Sequence, residues 1–330
     1  MIVDLSGPIK GKATYRGHLA ICRVDHWIKN VFVVPGIVVA LAIDHATARS
    51  WTTIGLHVIL GLLATCIIAS SNYVINEVLD APSDRKHPTK RLRPVPSGLV
   101  NVPLAYVQWI GLMVLGLGIA FQVSTSFAVT MLILWVMGCL YNIPPIRTKD
   151  LPYVDVLSEA VNNALRMLAG WFLVNPKAVV PASLLLSYWM VGGYFMAIKR
   201  FAELRHLGHA AVAIEYRKSF RAYTQERLLV SIVFYASAAM LFLGAFIMRY
   251  RIELILTVPF VSLVMSIYLG LAFTDDSAVQ APEKLYKEPL LMLSVLLCSA
   301  LITLLLFVDV PTISQWFSPT MDTATWAAPK

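Results

Sequence analysis

Charged residues are scarce in this sequence, and their scarcity is the first indication of the protein's surroundings. They make up 14% of the 330 residues, whereas soluble domains contain about a quarter. Hydrophobic residues make up 58% of the chain, which is more than a water-soluble core of this size needs. The composition therefore predicts that lipid is the main solvent of the folded chain.

Cysteine is rare as well, which argues against two further classes of protein. Only four cysteines occur, and they are widely separated. Their spacing fits neither a metal-binding motif nor a disulfide framework, so we interpret them as small apolar packing residues. The first twenty residues carry several charges and no sustained apolar run, so we expect no secretory signal peptide there.

Apolar sequence is abundant and gathers in nine long runs. A membrane-spanning helix needs about 20 such residues, and backbone groups in lipid must bond to each other, so we expect helices. The first run contains Pro35 and Gly36 and is the least regular. The sequence predicts an all-α polytopic membrane protein with a single domain over residues 1–330. The predicted spans are residues 27–43, 53–75, 102–121, 127–143, 156–174, 179–198, 228–247, 252–273 and 289–308.

Lysine and arginine are distributed unevenly among the connections, and this sets the expected orientation. With residues 1–26 in the cytoplasm, most of the 27 Lys and Arg residues fall on the inner side. We therefore predict a bacterial inner (plasma) membrane protein with a cytoplasmic N-terminus and an outer tail at 309–330. The bias also explains the net charge of +8 without nucleic acid, because part of it would face anionic lipid headgroups.

The second predicted span ends in a cluster of carboxylates and carboxamides. Residues four apart share one face of a helix, and Pro82 should end or kink this helix so that Asp84 turns back toward the same pocket. Polar groups at a membrane boundary are costly unless they bind something. Oxygen ligands alone favour Mg²⁺; a solvated helix end is the alternative. The cluster comprises Asn72, Asn76, Glu77, Asp80 and Asp84.

A basic segment follows the acidic cluster directly. Metal ligands beside cations suit a diphosphate group, with the metal on one side and Lys or Arg on the other. The positive-inside rule explains the number of these cations but not their position. We expect His87 to be an ordinary hydrogen-bonding loop residue. The cations are Arg85, Lys86, Lys90, Arg91 and Arg93.

The fifth predicted span carries polar residues inside an otherwise apolar helix. Asp155, Glu159, Asn162 and Arg166 fall at i, i+4, i+7 and i+11 and form one stripe. A polar stripe in a membrane helix faces a cavity rather than lipid. Asp155 is a possible ligand of a second Mg²⁺. For Glu159 and Arg166, a structural ion pair and a role in the site are equally compatible with the pattern.

These motifs resemble the UbiA superfamily of intramembrane transferases. The family's first motif, N-D-x-x-D-x-x-x-D, is matched at residues 76–84, with Glu77 in place of the first Asp. Residues 141–149 look like the family's second loop, and Asp155 stands at its second acidic position. The resemblance implies a UbiA-type bundle of nine helices with a cytoplasmic-side active-site cavity and bound Mg²⁺.

Several stretches resemble one branch of that family, the decaprenyl-phosphate phosphoribosyltransferases. The branch implies Mg²⁺-dependent transfer of 5-phosphoribose from phosphoribosyl diphosphate to polyprenyl phosphate, with release of pyrophosphate. The product would serve arabinosylation of the cell wall or of nodulation signals. An ionised phosphate nucleophile needs no general base, so we expect none. The stretches are residues 27–30, 84–94, 199–203, 217–219 and 223–224.

The resemblance also implies roles for individual residues. The metal ligands would be Asn76, Glu77, Asp80, Asp84 and Asp155, and the catalytic residues Asp80, Asp84 and Lys149. Among the cations, Lys90, Arg147 and Lys149 would face the leaving group. Lys199, Arg200, Arg217 and Lys218 would bind the 5-phosphate or the lipid phosphate, unless they only face lipid headgroups. The substrate-binding residues would be Lys29, Asn72, Lys90, Arg91, Arg93, Tyr141, Arg147, Arg166, Lys199, Arg200, Glu203, Arg217 and Lys218.

Three other functions remain compatible with the sequence. The first is prenyl transfer to an aromatic acceptor, which would need fewer phosphate-binding cations. The second is transport, although transporters place their polar sites near the midplane and in broken helices. The third is a non-catalytic lipid-binding protein.

Overall fold

The computed structural model describes residues 12–43, 50–85, 90–207, 217–274, 277–280 and 282–317. Lys86 and His87, and most of the predicted outer tail, lie outside these ranges. Within the described residues every regular element is a helix and there is no strand. The prediction of an all-α fold is therefore confirmed.

Eleven α-helices and several short 3-10 segments make up the described chain. The α-helices are α1 Tyr15–Ala20, α2 Val34–Ile43, α3 Trp51–Asp84, α4 Val102–Val123, α5 Thr125–Asn142, α6 Val154–Val174, α7 Ala182–Leu207, α8 Gln225–Tyr250, α9 Val258–Leu271, α10 Pro289–Phe307 and α11 Pro311–Trp316. The 3-10 segments are Val24–Val33, Lys90–Leu92, Thr148–Asp150, Lys218–Ala222, Ile252–Thr257, Ala278–Gln280 and Pro282–Lys287.

Side-chain caps fix where several of these helices begin. The side chain of Asn101 accepts the backbone N–H of Leu104 at the start of α4. Thr224 accepts the backbone N–H of Arg227 at the start of α8 in the same way. Such caps satisfy amide groups that have no partner within the first helical turn.

Seven segments of the described chain are long and apolar enough to cross a membrane. They are Tyr15–Ile43, Trp51–Asp84, Val102–Val123, Thr125–Asn142, Gln225–Tyr250, Ile252–Leu271 and Pro289–Phe307. The predicted spans 156–174 and 179–198 are helical, as α6 and α7, but neither is among the seven. Both carry charged residues in the helix. The count of nine spans therefore stays a prediction.

Two proline positions show how the helix geometry departs from the sequence prediction. An end of the helix was one of the two outcomes expected at Pro82, and it does not occur, because α3 continues through Pro82 to Asp84. Pro82 lies in the last turn, where a missing N–H removes only one helical bond. In the first predicted span, residues 24–33 form a 3-10 helix, and Pro35 stands in the first turn of α2, where no N–H is needed.

Helix α6 occupies the centre of one half of the bundle. It packs against α2, α3, α5 and α7. The approach to α2 is closest at two glycines: a Cβ on Gly36 would overlap the carbonyl oxygen of Met167, and one on Gly170 would overlap that of Val33. Small residues permit such backbone contact between membrane helices. The polar stripe of α6 is thereby held between α2, α3 and α7.

Candidate active site

Asp80 lies near the end of α3 and holds two cations from the loop that follows α5. Lys149 Nζ lies 2.6 Å and Arg147 Nη2 lies 2.9 Å from the same atom, Oδ1 of Asp80. The other oxygen, Oδ2, receives no hydrogen bond from the described residues, and the Asp80 side chain is 20% exposed. We call these three residues the Asp80 cluster. It offers two cations and one free carboxylate oxygen at an accessible position.

Lys149 is the buried member of this cluster. Its ammonium group also donates to Oδ1 of Asn142 at 2.9 Å, and Asn76 bonds to that same oxygen. Burial lowers the pKa of Lys149 to about 8, although the neighbouring Asp80 carboxylate opposes this shift. Asn142 was not predicted as a site residue. Its signals were a polar side chain at the last residue of α5 and a place in the stretch 141–149, which resembles the family's second loop.

The loop after α5 has an unusual backbone conformation at Arg147. Its φ of 33° lies in the left-handed region that residues other than glycine rarely adopt. This turn brings two side chains from positions 147 and 149 to one oxygen atom. Strained backbone of this kind often accompanies functional sites.

Glu77 and Asp84 contact the segment after α3 rather than the Asp80 cluster. Glu77 Oε1 accepts the backbone N–H of Val95 at 3.0 Å, and Asp84 Oδ2 accepts Arg93 Nη1 at 2.7 Å. Both carboxylates are buried. They fasten residues 90–98 against the end of α3. Of the predicted metal ligands on this helix, the structure therefore places Asn76 and Asp80 together.

A second cluster of charges surrounds Arg200 on α7. The guanidinium is fully buried and contacts three carboxylates, those of Asp155 at 2.9 Å, Glu159 at 3.0 Å and Glu203 at 3.2 Å. We call these four residues the Arg200 cluster. Asp155 and Arg200 were predicted as a metal ligand and a phosphate-binding cation, and here they bind each other.

Asp155 is completely enclosed by further partners. Its Oδ1 accepts the hydroxyl of Tyr223 at 2.6 Å, and its Oδ2 accepts the hydroxyl of Ser219 at 3.1 Å. Both donors come from the segment at 218–223. Neither residue was predicted, although Ser219 and Tyr223 lie in stretches that carried the branch resemblance. Asp155 therefore joins α6, α7 and this segment.

Tyr141 connects the two clusters. Its hydroxyl donates to Glu159 Oε2 at 2.9 Å, and Lys149 Nζ lies 5.9 Å from the centre of its ring. Arg217 lies close enough to interact with Tyr141, and its buried Nε has no partner. The end of α3, the start of α6 and the end of α7 therefore meet at one side of the bundle.

The remaining predicted residues lie around this region or deeper in the bundle. Lys218 is exposed and lies 3.4 Å from Asp150, which also pairs with Arg147. Asn72 donates to the carbonyl oxygen of Leu134 at 3.1 Å and so contacts α5 instead of the Asp80 cluster. Lys90 and Arg91 lie on the segment Lys90–Leu92, Lys29 lies on Val24–Val33, and Lys199 precedes Arg200 on α7.

The structure decides between the two interpretations of Glu159 and Arg166. Glu159 pairs with Arg200 at 3.0 Å, whereas Arg166 has no carboxylate within ion-pair distance among the described residues. Arg166 instead donates to the amide oxygens of Asn30 and Asn163. The two residues therefore do not form the structural ion pair.

The Asp80 cluster fits Mg²⁺ better than the Arg200 cluster does. Among the described residues no group of three or more His, Cys, Asp or Glu side chains is arranged to hold a metal. Mg²⁺ does not need such a cage, because it commonly takes one or two carboxylates together with water and substrate phosphate oxygens. Asp80 has a free oxygen, whereas both oxygens of Asp155 are occupied.

Sequence comparison places the chain among transferases. A profile of the UbiA prenyltransferase family matches residues 33–297. A decaprenyl-phosphate phosphoribosyltransferase of Corynebacterium glutamicum is 31% identical over 214 residues, which cover 63% of this chain and 60% of that protein. Nodulation protein NoeC of Azorhizobium caulinodans is 28% identical over 244 residues, which cover 72% of this chain and 73% of that protein.

The fold has a solved counterpart. A UbiA homolog from Archaeoglobus fulgidus bound to GPP and Mg²⁺ aligns with a TM-score of 0.66 and 20% identity over 88% of this chain and 100% of that chain. Together with the seven apolar helices, this likeness identifies a multi-pass membrane protein. The predicted resemblance to the family and to its phosphoribosyltransferase branch is confirmed.

Proposed function

Because the chain belongs to the UbiA prenyltransferase family, we propose that it transfers 5-phosphoribose from phosphoribosyl diphosphate to a polyprenyl phosphate and releases pyrophosphate. The relative from Corynebacterium glutamicum carries the name of this activity. The product would be a lipid-linked precursor of arabinose for a cell-wall polymer or a nodulation signal. The reaction would take place at the cytoplasmic face of a bacterial inner membrane, where the water-soluble donor is available.

The observation that carries this proposal is the Asp80 cluster. Two cations converge on one carboxylate oxygen, and the second oxygen is free. A departing diphosphate needs cations on its oxygens and a divalent metal ion to neutralise the charge that develops. Lys149 and Arg147 supply the cations, while Asp80 fixes both at one point.

The chemistry balances without an added base. An oxygen of the lipid phosphate attacks C1 of the ribose, the bond from C1 to the diphosphate oxygen breaks, and its electron pair leaves with pyrophosphate. The C1 carbon passes through an oxocarbenium-like state, as in other glycosyl transfers. The attacking phosphate is already ionised, so no side chain has to remove a proton.

Asp80 and Asn76 are the side chains we assign to Mg²⁺. When bound, Mg²⁺ would neutralise negative charge on the donor diphosphate. Asn76 is held in place by Asn142, which also receives Lys149, so this amide and the leaving-group cation are positioned together. The other predicted ligands, Glu77, Asp84 and Asp155, stay predictions.

The ribose 5-phosphate would lie near Arg217. This arginine has a buried Nε without a partner. Its positive charge lies close enough to repel those of Lys149 and Lys90. Lys218 and Lys199 are the neighbouring cations on the same side. The Arg200 cluster positions this group, because Asp155 binds Ser219 and Tyr223 from the segment that begins beside Arg217.

A direct assay tests this function. Purified protein in detergent is incubated with labelled phosphoribosyl diphosphate, polyprenyl phosphate and Mg²⁺, and the lipid extract is examined for label. We expect a labelled lipid that a chelator abolishes and added Mg²⁺ restores. Lys149→Met should lower kcat at least about 100-fold, the usual loss for one electrostatic donor. Lys177→Met removes an exposed lysine between α6 and α7 and should leave kcat unchanged.

The second candidate function is prenyl transfer from a prenyl diphosphate to an aromatic acid. The GPP bound to the Archaeoglobus fulgidus homolog favours it. Both reactions release pyrophosphate from a carbon that becomes cationic, so the Asp80 cluster would serve either. A labelled aromatic product from prenyl diphosphate, without any labelled phosphoribosyl lipid, would replace our first choice by this one.

A further inference from the structure

Arg166 lies on α6 in a polar region to which the function proposed above assigns no residue role. It is seven residues beyond Glu159, about 10 Å further along the helix. Its Nε donates to Asn30 Oδ1 at 3.0 Å and its Nη1 to Asn163 Oδ1 at 3.3 Å. Side chains that interact with it from α3 and α7 are neutral. We call this region the Arg166 chamber; it comprises Asn30, Cys66, Tyr73, Asn163, Arg166 and Tyr188.

The positive charge of Arg166 has no direct counter-ion among the described residues, and Glu159 acts on it only from a distance. No described carboxylate lies within ion-pair distance of Arg166, and Glu159 is engaged by Arg200 and Tyr141. A cation inside a membrane helix is costly and is normally paired or faces a functional cavity. The missing partner is therefore an anion that the described residues do not provide.

The guanidinium has donors left for such an anion. Arginine carries five N–H donors, and the two asparagines engage only Nε and Nη1. Nη2 has no hydrogen-bond partner among the described residues, and the Arg166 residue is half-buried. The Nη1–Nη2 edge of a guanidinium matches two oxygens of a phosphate or carboxylate.

The position of the chamber favours a lipid head group over a water-soluble sugar phosphate. The donor carries several phosphates and needs the metal and the cations gathered at the Asp80 and Arg217 side of the bundle. Tyr188 of this region also contacts the apolar ring of Phe32 edge-on, with ring centres 6.2 Å apart. One guanidinium next to aromatic rings suits one phosphate on a hydrocarbon chain.

Resting on the function proposed above, we propose that the Arg166 chamber binds the phosphate group of the lipid acceptor. Helical side chains lean toward the helix N-terminus, so Arg166 reaches back toward Glu159 and the Asp80 cluster. The acceptor phosphate is thus held next to the carbon that the donor diphosphate leaves. Two anions are bound by separate cations, which keeps their like charges apart until reaction.

Binding measurements test this assignment without turnover. Farnesyl phosphate and farnesol are titrated into the purified full-length protein in detergent, and dissociation constants are measured by calorimetry. We expect farnesyl phosphate to bind and farnesol to bind much more weakly. Arg166→Gln should weaken farnesyl phosphate at least about tenfold, the loss of one charge-assisted contact. Arg166→Lys should retain part of the affinity, because the charge remains.

Two controls separate this role from a general structural one. Arg249 is an exposed arginine in the last turn of α8. Arg249→Gln should therefore leave the affinity for farnesyl phosphate unchanged. In Arg166→Gln, the affinity for phosphoribosyl diphosphate should also stay unchanged, which shows that the variant is folded and its donor site intact. The shared chemistry is that of an anion on an apolar group, so an aromatic carboxylate is titrated as a third ligand.

Specific results would overturn the assignment. Unchanged binding of farnesyl phosphate to Arg166→Gln, or a loss confined to phosphoribosyl diphosphate, would remove Arg166 from the acceptor site. Binding of the aromatic acid in place of farnesyl phosphate would assign the chamber to a carboxylate. Failure of the proposed function gives a different pattern, in which farnesyl phosphate binds through Arg166 but the native protein forms no labelled phosphoribosyl lipid.

Discussion

The Asp80 cluster and the Arg200 cluster both pair carboxylate side chains with cations but are built in opposite ways. In the first, two cations share one oxygen of a single, partly exposed carboxylate. In the second, one cation is enclosed by three carboxylates, and Arg200 and Asp155 are both completely buried. The first keeps an oxygen and positive charge available for a ligand. The second has no exposed charge at its centre and joins helices.

This difference shows that the residue type at a motif position does not by itself determine the role of that residue. Asp80 and Asp155 both stand at acidic positions of the family pattern, yet only Asp80 has a free oxygen. Burial and the number of partners decide which carboxylate can take a metal ion.

Removing Arg200 from the centre of the Arg200 cluster should have the largest effect of the changes considered. Arg200→Met leaves the buried Asp155 and Glu203 and the partly exposed Glu159 without their cation. Breaking a buried pair in this way costs about 3–5 kcal/mol. We expect a strong fall in the thermal unfolding temperature in detergent. Arg221→Met, an exposed arginine on the segment Lys218–Ala222, is the matched control and should unfold like the native protein. Normal stability combined with lost activity would instead make the Arg200 cluster a ligand site.

Removing the negative charge of the Asp80 cluster should slow the reaction and leave the fold intact. Asp80→Asn keeps the shape of the side chain but loses a metal ligand and the anion that positions Lys149 and Arg147. We expect kcat to fall at least about 100-fold, with an unfolding temperature close to native. Calorimetry with Mg²⁺ and the donor should show weakened binding. A variant that unfolds easily while its active fraction turns over normally would reverse the roles of the two clusters.

A smaller effect is expected at Glu203, at the edge of the Arg200 cluster. Glu203 makes the longest of the three contacts to Arg200, at 3.2 Å. Glu203→Gln keeps an oxygen acceptor and leaves two carboxylates on the cation, so stability should fall by about 1–2 kcal/mol. Activity per folded molecule, measured at low temperature, should be retained. Loss of donor affinity in this variant would show that Glu203 contacts the substrate.

The smallest effect is expected at Glu77. Its Oε1 accepts the backbone N–H of Val95, as a structural residue would. Glu77→Gln retains that acceptor, so kcat and its dependence on Mg²⁺ concentration should change by less than about threefold. Glu77→Ala, which removes the acceptor, should destabilise the protein more than Glu77→Gln. A raised Mg²⁺ requirement in Glu77→Gln would instead show that Glu77 is a metal ligand together with the Asp80 cluster.

The sequence was sufficient for the features that depend on local spacing. The intervals of four in α3 placed Asn76 and Asp80 on one face, and the apolar runs located the helices. The polar stripe of α6 was also visible, because a helix repeats every 3.6 residues. These properties follow from the backbone alone and do not need the partner helices.

Features that depend on contacts between distant residues were not predictable from the sequence. Glu203 lies three residues from Arg200, so their contact could be inferred from helix geometry. The contact of Arg200 with Asp155 joins positions 45 residues apart, and only the packing of α6 on α7 creates it. Asn142 was missed for the same reason, since its meaning comes from Lys149 and Asn76 around it. The helix does not end before Pro82, because a proline in the last turn removes only one helical bond.

The backbone contact between α2 and α6 at Gly36 and Gly170 also has a consequence for how a long hydrocarbon chain can thread through this protein. The contact lies just past the level of Asn30 and Arg166, and it leaves no gap between the two helices wide enough for an acyl-like chain. In the acceptor site proposed above, the tail of a lipid whose phosphate binds Arg166 would therefore pass between another pair of helices. The contact at Gly36 and Gly170 would then limit the directions from which such a lipid could enter.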